Sequence, residues 1–178
     1  MACPVASKTA HQSLGWAAGL IAAALVTEAG AAGPYYQWSV LAFLMAYSGG
    51  TAPDWLEIAW WAQGRGRHSW IAHRTWTHWG VAWCALLILS YARLSAWPWM
   101  AIPFGFAAGG MMHLLADWPN PLGVPWLFVY RRHSLKWWNS GRCDWLIVGA
   151  AWAYAFAQAD STWFDGKALH HLMRLRIV

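Results

Sequence analysis

The sequence predicts an all-α fold: a polytopic transmembrane helical bundle of about five spans, or four, with a polar site at one end. Three observations predict it. Of the 178 residues 59% are hydrophobic and only 11% charged, and the mean hydropathy is +0.29, a balance outside the soluble-domain range. Eighteen tryptophans are too many for a core of ordinary density, but their amphipathic rings suit the headgroup layer of a bilayer. Finally, Pro53-Asp54, His73-Arg74-Thr75-Trp76-Thr77-His78 and His113-Leu114-Leu115-Ala116-Asp117 sit at the ends of apolar stretches. Ionisable groups are costly to desolvate at membrane depth, so such residues need partners, and a shared metal ion is an economical one.

The chain reads as one membrane domain: residues 1–13 form an N-terminal segment with His11, 14–159 the bundle, and 160–178 a polar tail. Five apolar stretches run from Leu14 to Thr27, Tyr35 to Thr51, Trp76 to Ser95, Trp97 to Trp118 and Trp145 to Ala159. Against the ~20 residues needed to cross hydrocarbon, the first and last are short, which keeps four spans open. Pro34 and Pro98 fit helix starts, and Gly49-Gly50 marks a break. Leu14 to Val26 after Lys8 also resembles a signal-peptide core, with Ala29-Gly30-Ala31 as cleavage residues. Glu28 is badly placed for cleavage and the preceding region has a single lysine, so retention is expected.

The net charge of +5 does not point to nucleic acid, because the basic residues form no long run or helical stripe. Membrane orientation accounts for them. Arg65, Arg67 and Arg74 lie between the second and third stretches, and Arg131, Arg132, Lys136 and Arg142 between the fourth and fifth; the positive-inside rule makes both loops cytoplasmic. The N-terminus with Lys8 and His11 shares that side. Lys167, Arg174 and Arg176 in the tail run against the rule, unless the tail is an interfacial helix or the fifth segment re-enters. Cys3, Cys84 and Cys143 lack metal-type spacing; Cys84 is expected to be buried in a helix, Cys143 to be a cytoplasmic thiol, and no disulfide is expected.

This topology gathers His11, Asp54, His73, His78, His113 and Asp117 at the cytoplasmic ends of the spans, as helical bundles build metal sites from sequence-distant ligands. His113 and Asp117 share one helical face a turn apart. They are metal ligands or, equally, a hydrogen-bonded pair inside the bundle. His73 and His78 do not share a face if helical, so His73 is expected in the entering loop and His78 in the first turn. Arg74 either holds an anionic group and the charge developing on it, or anchors lipid headgroups. Asp54 and Glu57 both point inward if their segment is helical, one as ligand and one as general base; otherwise Glu57 faces water in a solvated turn. Pro119-Asn120-Pro121-Leu122-Gly123-Val124-Pro125 cannot continue the helix and is expected as a rigid loop over the site. His133 is a surface residue or a phosphate contact, and His68, His170 and His171 are surface residues. Mixed nitrogen and oxygen donors suit Zn²⁺, with Mn²⁺ or Fe²⁺ as alternatives, as one or two ions.

Taken in order, His11 with Gly15, Pro53-Asp54, His73-Arg74-x-x-Thr77-His78, and Gly110-x-x-His113-x-x-x-Asp117 followed by Pro121-x-Gly123-Val124-Pro125 resemble the YdjM-type family. These are bacterial inner-membrane proteins regarded as metal-dependent hydrolases and as similar to zinc-dependent phospholipase C in ligand pattern. The resemblance runs from about His11 to Arg132. It implies a hydrolytic site built from His11, Asp54, His73, His78, His113 and Asp117; the catalytic candidates Glu57, Arg74 and Asp54 come from the reading of the residues themselves. Two departures stand out. The family's Pro-Asp-x-Asp-His reads Pro53-Asp54-Trp55-Leu56-Glu57 here, and the serine after Thr-His is Trp79. The expected function is therefore metal-dependent hydrolysis of a phosphoester or ester of a lipid-like substrate in the bilayer. The alternative is a non-catalytic protein with a structural metal that binds a cytoplasmic partner. An ion or proton conduit is disfavoured, because the opposite halves of the spans hold almost no polar groups.

Overall fold

The computed structural model describes residues 8–62, 66–138 and 143–167, with side chains described except at 59–67. Helix α1 (Lys8–Glu28) is rich in alanine, the best helix former, and its small side chains let three neighbours close in around it. Those neighbours are α2 (Gln37–Gly49), α5 (Ala101–Asp117) and α6 (Asp144–Phe164). The short α3 (Ala52–Trp55) follows α2, and α4 (Gly80–Tyr91) packs on the far side of α5.

Small residues set the closest crossing. Gly105 and Gly109 of α5 lie against Ala42 and Ala46 of α2, where a Cβ on either glycine would strike a backbone carbonyl. Such four-residue spacing of small side chains lets two backbones approach closely, as helices in lipid do where no hydrophobic drive separates helix from solvent. On α4, Trp83 covers Gly110, and together with Ala107 and Leu114 it belongs to one apolar cluster. Ala151 and Ala155 of α6 meet Leu14 and Ala17 of α1. Polar ties fix that pair in register: Trp152 Nε1 donates to Ser13 Oγ at 3.0 Å, and Glu28 accepts from Gln158 and Thr162 at 2.7 Å each. Accordingly α1 and α6 run in the same direction.

Large apolar side chains point outward along the helices, including Val40 and Leu44 of α2, Ile88 and Leu89 of α4, and Tyr154 and Phe156 of α6. Exposed aromatic residues gather near both ends of the helices. Tyr35, Tyr36, Trp97, Trp99 and Phe164 lie at one, and Trp55, Trp70, Trp76, Trp137 and Trp145 at the other. An apolar band flanked by amphipathic rings is the surface a bilayer selects.

Several expectations need correction. The first and last helices are not short, since each has 21 residues; α6 runs on to Phe164 and absorbs the start of the expected polar tail. The third apolar stretch begins later than expected. Trp76–His78 is a single 3₁₀ turn, Trp79 is extended, and only at Gly80 does α4 start, so His78 precedes the helix. With 13 and 12 residues, α2 and α4 rise about 20 and 18 Å, less than the ~30 Å of hydrocarbon. Among the described residues one helical stretch, Pro98–Asp117, is both long and apolar enough to cross a membrane.

The fold is mostly helical, yet it holds two hairpins that helical periodicity did not announce. Strands β1 (Ala59–Ala62) and β2 (Gly66–Ser69) pair antiparallel, with Trp60 opposite His68. Strands β3 (Val124–Phe128) and β4 (Arg131–His133) pair with Val124 opposite His133. The proline-rich segment after Asp117 is therefore a turn leading into a strand. Cys84 is half-buried rather than buried, and Cys84 and Cys143 are free thiols. Cys3, Arg65, Arg142, His170, His171, Arg174 and Arg176 lie outside the described residues.

Candidate metal centre

Four elements deliver the polar residues to one end of the bundle. His11 comes from the first turn of α1, Asp54 from α3, His78 from the 3₁₀ turn before α4, and His113 and Asp117 from the last turns of α5. The crossing of α1 on α2 is tight there because Gly50 faces Gly15. That approach sets His11 on His113, their rings stacked at 3.8 Å with an interplanar angle of 16°.

All six predicted ligands converge. Ligand-type atoms of Asp54, Glu57, His73 and His78 lie within 4.8 Å of one another, and so do those of His11, His113 and Asp117. The two groups adjoin through Asp54 and Asp117. Asp54 Oδ1 is 3.6 Å from His78 Nε2 and 3.9 Å from His113 Nε2, and Asp117 Oδ2 is 3.4 Å from His113 Nε2 and 3.9 Å from His78 Nε2. Asp117 Oδ1 lies 3.7 Å from His11 Nε2.

Those donors fit a cation. Buried polar atoms are nearly always hydrogen-bonded, yet His11 Nε2, His78 Nε2, His113 Nε2 and Asp117 Oδ2 are buried without such a bond. The opposite ring nitrogens of His113 and His78 are engaged. His113 Nδ1 donates to Gly50 O at 2.9 Å, and His78 Nδ1 is hydrogen-bonded to Thr77 Oγ1 at 3.1 Å. The Gly50 carbonyl can only accept, so it fixes the His113 tautomer with Nε2 free to bind a metal, while the Thr77 hydroxyl orients the His78 ring. Burial pushes His78 below the ordinary histidine range. Burial alone would raise the Asp54 carboxyl, but the neighbouring His78 and His113 rings more than offset it and hold Asp54 at about 2.

Glu57 is wholly buried, so it does not face water in a solvated turn. It lies beyond α3, with Oε1 accepting from His73 Nδ1 at 2.7 Å and from the Arg74 backbone N–H at 3.3 Å, and 3.6 Å from His78 Nδ1. Arg74 is equally buried, which rules out the headgroup-anchor reading. Its Nη2 lies 2.8 Å from Asp117 Oδ1 and its Nη1 donates to Gly123 O at 2.9 Å. Arg74 has φ of 57°, an uncommon conformation for a residue with a side chain, of the kind that persists where surroundings over-determine it. Only Asp54 and His73 of the set reach solvent, at 37% and 30% side-chain exposure, so they form the mouth. His133 is exposed and accepts from Trp118 Nε1 at 2.8 Å, apart from the cluster.

Sequence reading missed four supporting groups. Gly50 and Gly123 act through their carbonyls, Thr77 through its hydroxyl, and Asn120 through Nδ2, 3.4 Å from Asp117 Oδ1. The proline-flanked Asn120 just after Asp117 was a signal that could have been read; a carbonyl partner leaves none.

A helical bundle that turns apolar side chains outward and gathers imidazoles and carboxylates at one end defines a membrane-protein class with a metal-type centre. The chain belongs to the YdjM inner membrane protein family, whose model matches residues 7–173. No curated protein and no solved structure matches the chain.

Proposed function

We propose that the protein is a multi-pass metal-dependent hydrolase of the bacterial inner membrane, its site facing the cytoplasm, acting on a phosphoester or ester of a lipid-like substrate. The observation that carries this reading is the convergence of three buried imidazole Nε2 atoms and one carboxylate oxygen that lack hydrogen bonds. His11, His78, His113 and Asp117 would hold the ion with Asp54, and His73 lies beside them, hydrogen-bonded to Glu57. The donor set favours Zn²⁺ over Mn²⁺ or Fe²⁺. When bound, such an ion supplies Lewis acidity and brings the pKa of water near neutrality, the requirement for hydrolysis at physiological pH. Asp54, at the mouth of the centre, is the ligand that an entering substrate or water would meet first. Glu57 orients His73 and His78, and Arg74 orients Asp117.

The five-span arrangement belongs to this proposal. Helices α1, α2, α4, α5 and α6 have their site-side ends in one layer, and the short α2 and α4 match a bilayer thinned locally around the site. A second reading, a structural metal in a partner-binding protein, draws on Leu56. It stands where the family has an acidic residue, and it packs against the apolar cluster of Ala52, Trp83 and Leu114 instead.

Metal analysis of detergent-purified protein tests the centre, with His113→Ala and Asp117→Asn as controls. A hydrogen-bonded pair tolerates Asp117→Asn, because the amide oxygen still accepts a bond and no charge is stranded. A metal site does not, and both variants should lose metal while remaining folded. Full metal in Asp117→Asn would remove Asp117 from the ligand set. Turnover of a phosphocholine ester by the metal-loaded wild type, lost in both variants, separates the hydrolase from the structural-metal reading.

A further inference from the structure

The β3–β4 hairpin carries an apolar tip, with Leu127, Phe128 and Tyr130 exposed at 69%, 63% and 79%, followed directly by exposed Arg131 and Arg132. Its base is anchored. Val124 is wholly buried, Trp126 lies against Gly80, and Trp79 Nε1 donates to Leu127 O at 3.0 Å. Arg132 Nη2 donates to His73 O at 2.8 Å, and the Trp76 ring meets the Tyr130 ring edge-on. The Arg131 guanidinium sits over the Phe128 ring, 5.7 Å from its centroid.

We propose that this tip is an interfacial anchor that inserts into the headgroup layer of the leaflet facing the site. Leu127 and Phe128 meet the acyl boundary there, and Arg131 and Arg132 meet the phosphates of anionic lipids. Charge complementarity selects the occupant. The cytoplasmic leaflet is anionic and attracts basic residues close to it, whereas a second copy of the chain would bring the same two guanidiniums face to face. The surface is also continuous with exposed Trp76, in the 3₁₀ turn that holds His78. Since Arg132 grips the carbonyl of His73, the anchor sets the mouth of the centre at the depth of lipid headgroups. The inference rests on the membrane-spanning reading and deepens it by naming the bilayer surface as what the hairpin binds.

The test uses the full chain with Cys3→Ser, Cys84→Ala and Cys143→Ser, and an environment-sensitive fluorophore on Phe128→Cys. It is reconstituted in vesicles of phosphatidylcholine alone or mixed with phosphatidylglycerol. The expected result is blue-shifted emission, quenching by lipids spin-labelled near the headgroup, and protection from aqueous iodide. All three should be stronger with phosphatidylglycerol, and Arg131→Gln should weaken that dependence. A probe open to iodide in both vesicle types overturns the proposal, as does self-quenching that tracks protein density and reports contact between copies. Resistance to carbonate extraction of the same vesicles tests the spanning reading separately. A water-exposed probe in carbonate-resistant protein sinks the anchor alone, and extraction by carbonate sinks the spanning reading beneath it.

Discussion

Arg74 and Asp117 form a wholly buried ion pair, with Nη2 2.8 Å from Oδ1, and that pair divides the carboxylate between two tasks. Oδ1 is occupied by the guanidinium, with Asn120 Nδ2 nearby at 3.4 Å. Oδ2 is left facing His113 and His78. An arginine placed this way holds the carboxylate still, and it also balances a charge that would otherwise be buried alone.

Arg74→Lys keeps a positive charge but lacks the fork that reaches both Asp117 and Gly123. Metal affinity should fall about 10–100-fold, the usual effect of losing a partner that orients a ligand. Arg74→Met strands the carboxylate, and the metal-free protein should lose roughly 3–5 kcal/mol of stability. Metal titration and thermal unfolding in detergent read the two effects. Wild-type affinity in Arg74→Lys would show that the guanidinium does not position Asp117.

Gly50→Ala tests the close approach behind His113. The added methyl would meet Gly15 Cα at 2.7 Å and His11 O at 3.1 Å, both backbone atoms that cannot swing aside. Separation of α1 from α2 should cost about 1–3 kcal/mol and pull His11 from His113, lowering bound metal. Ser48→Ala, nearby on α2, is the control and should bind metal normally.

For Glu57, the contacts to His73 and Arg74 predict a positioning role. Glu57→Gln should slow hydrolysis while keeping the wild-type number of bound ions, because the amide oxygen can still accept from His73. Loss of one ion per chain in elemental analysis would make Glu57 a direct ligand.

Topology is open to cysteine labelling in the cysteine-free background. Gly66→Cys, in the first hairpin, should react with a membrane-impermeant maleimide only from the cytoplasmic side, and Ser95→Cys only from the periplasmic side. Reversed labelling would turn the centre outward.

The helical, membrane-type character of the chain and the convergence of six histidine and aspartate residues are legible in the amino-acid sequence, for a definite reason. Apolar stretches of helical length fix which ends share a layer, so His11, Asp54, His78, His113 and Asp117 had to meet once α1, α2, α4 and α5 packed together. The His113–Asp117 spacing follows from helix geometry alone, although the same spacing serves a metal pair and a hydrogen bond equally well. What supports the metal reading is three-dimensional: buried Nε2 atoms from three different elements without hydrogen bonds, a property no single segment carries. Glu57, Arg74, Gly50 and Gly123 likewise depend on the tertiary fold. Local sequence allows Glu57 and Arg74 to sit in water or at headgroups, and only the packing of the His73–His78 segment against α5 and the turn leading into β3 buries them. Backbone carbonyls leave no mark in residue identity, so the partners of His113 and Arg74 are decided by chain path. The hairpins escape for a related reason, since strand pairing joins segments whose local patterns read only as loop.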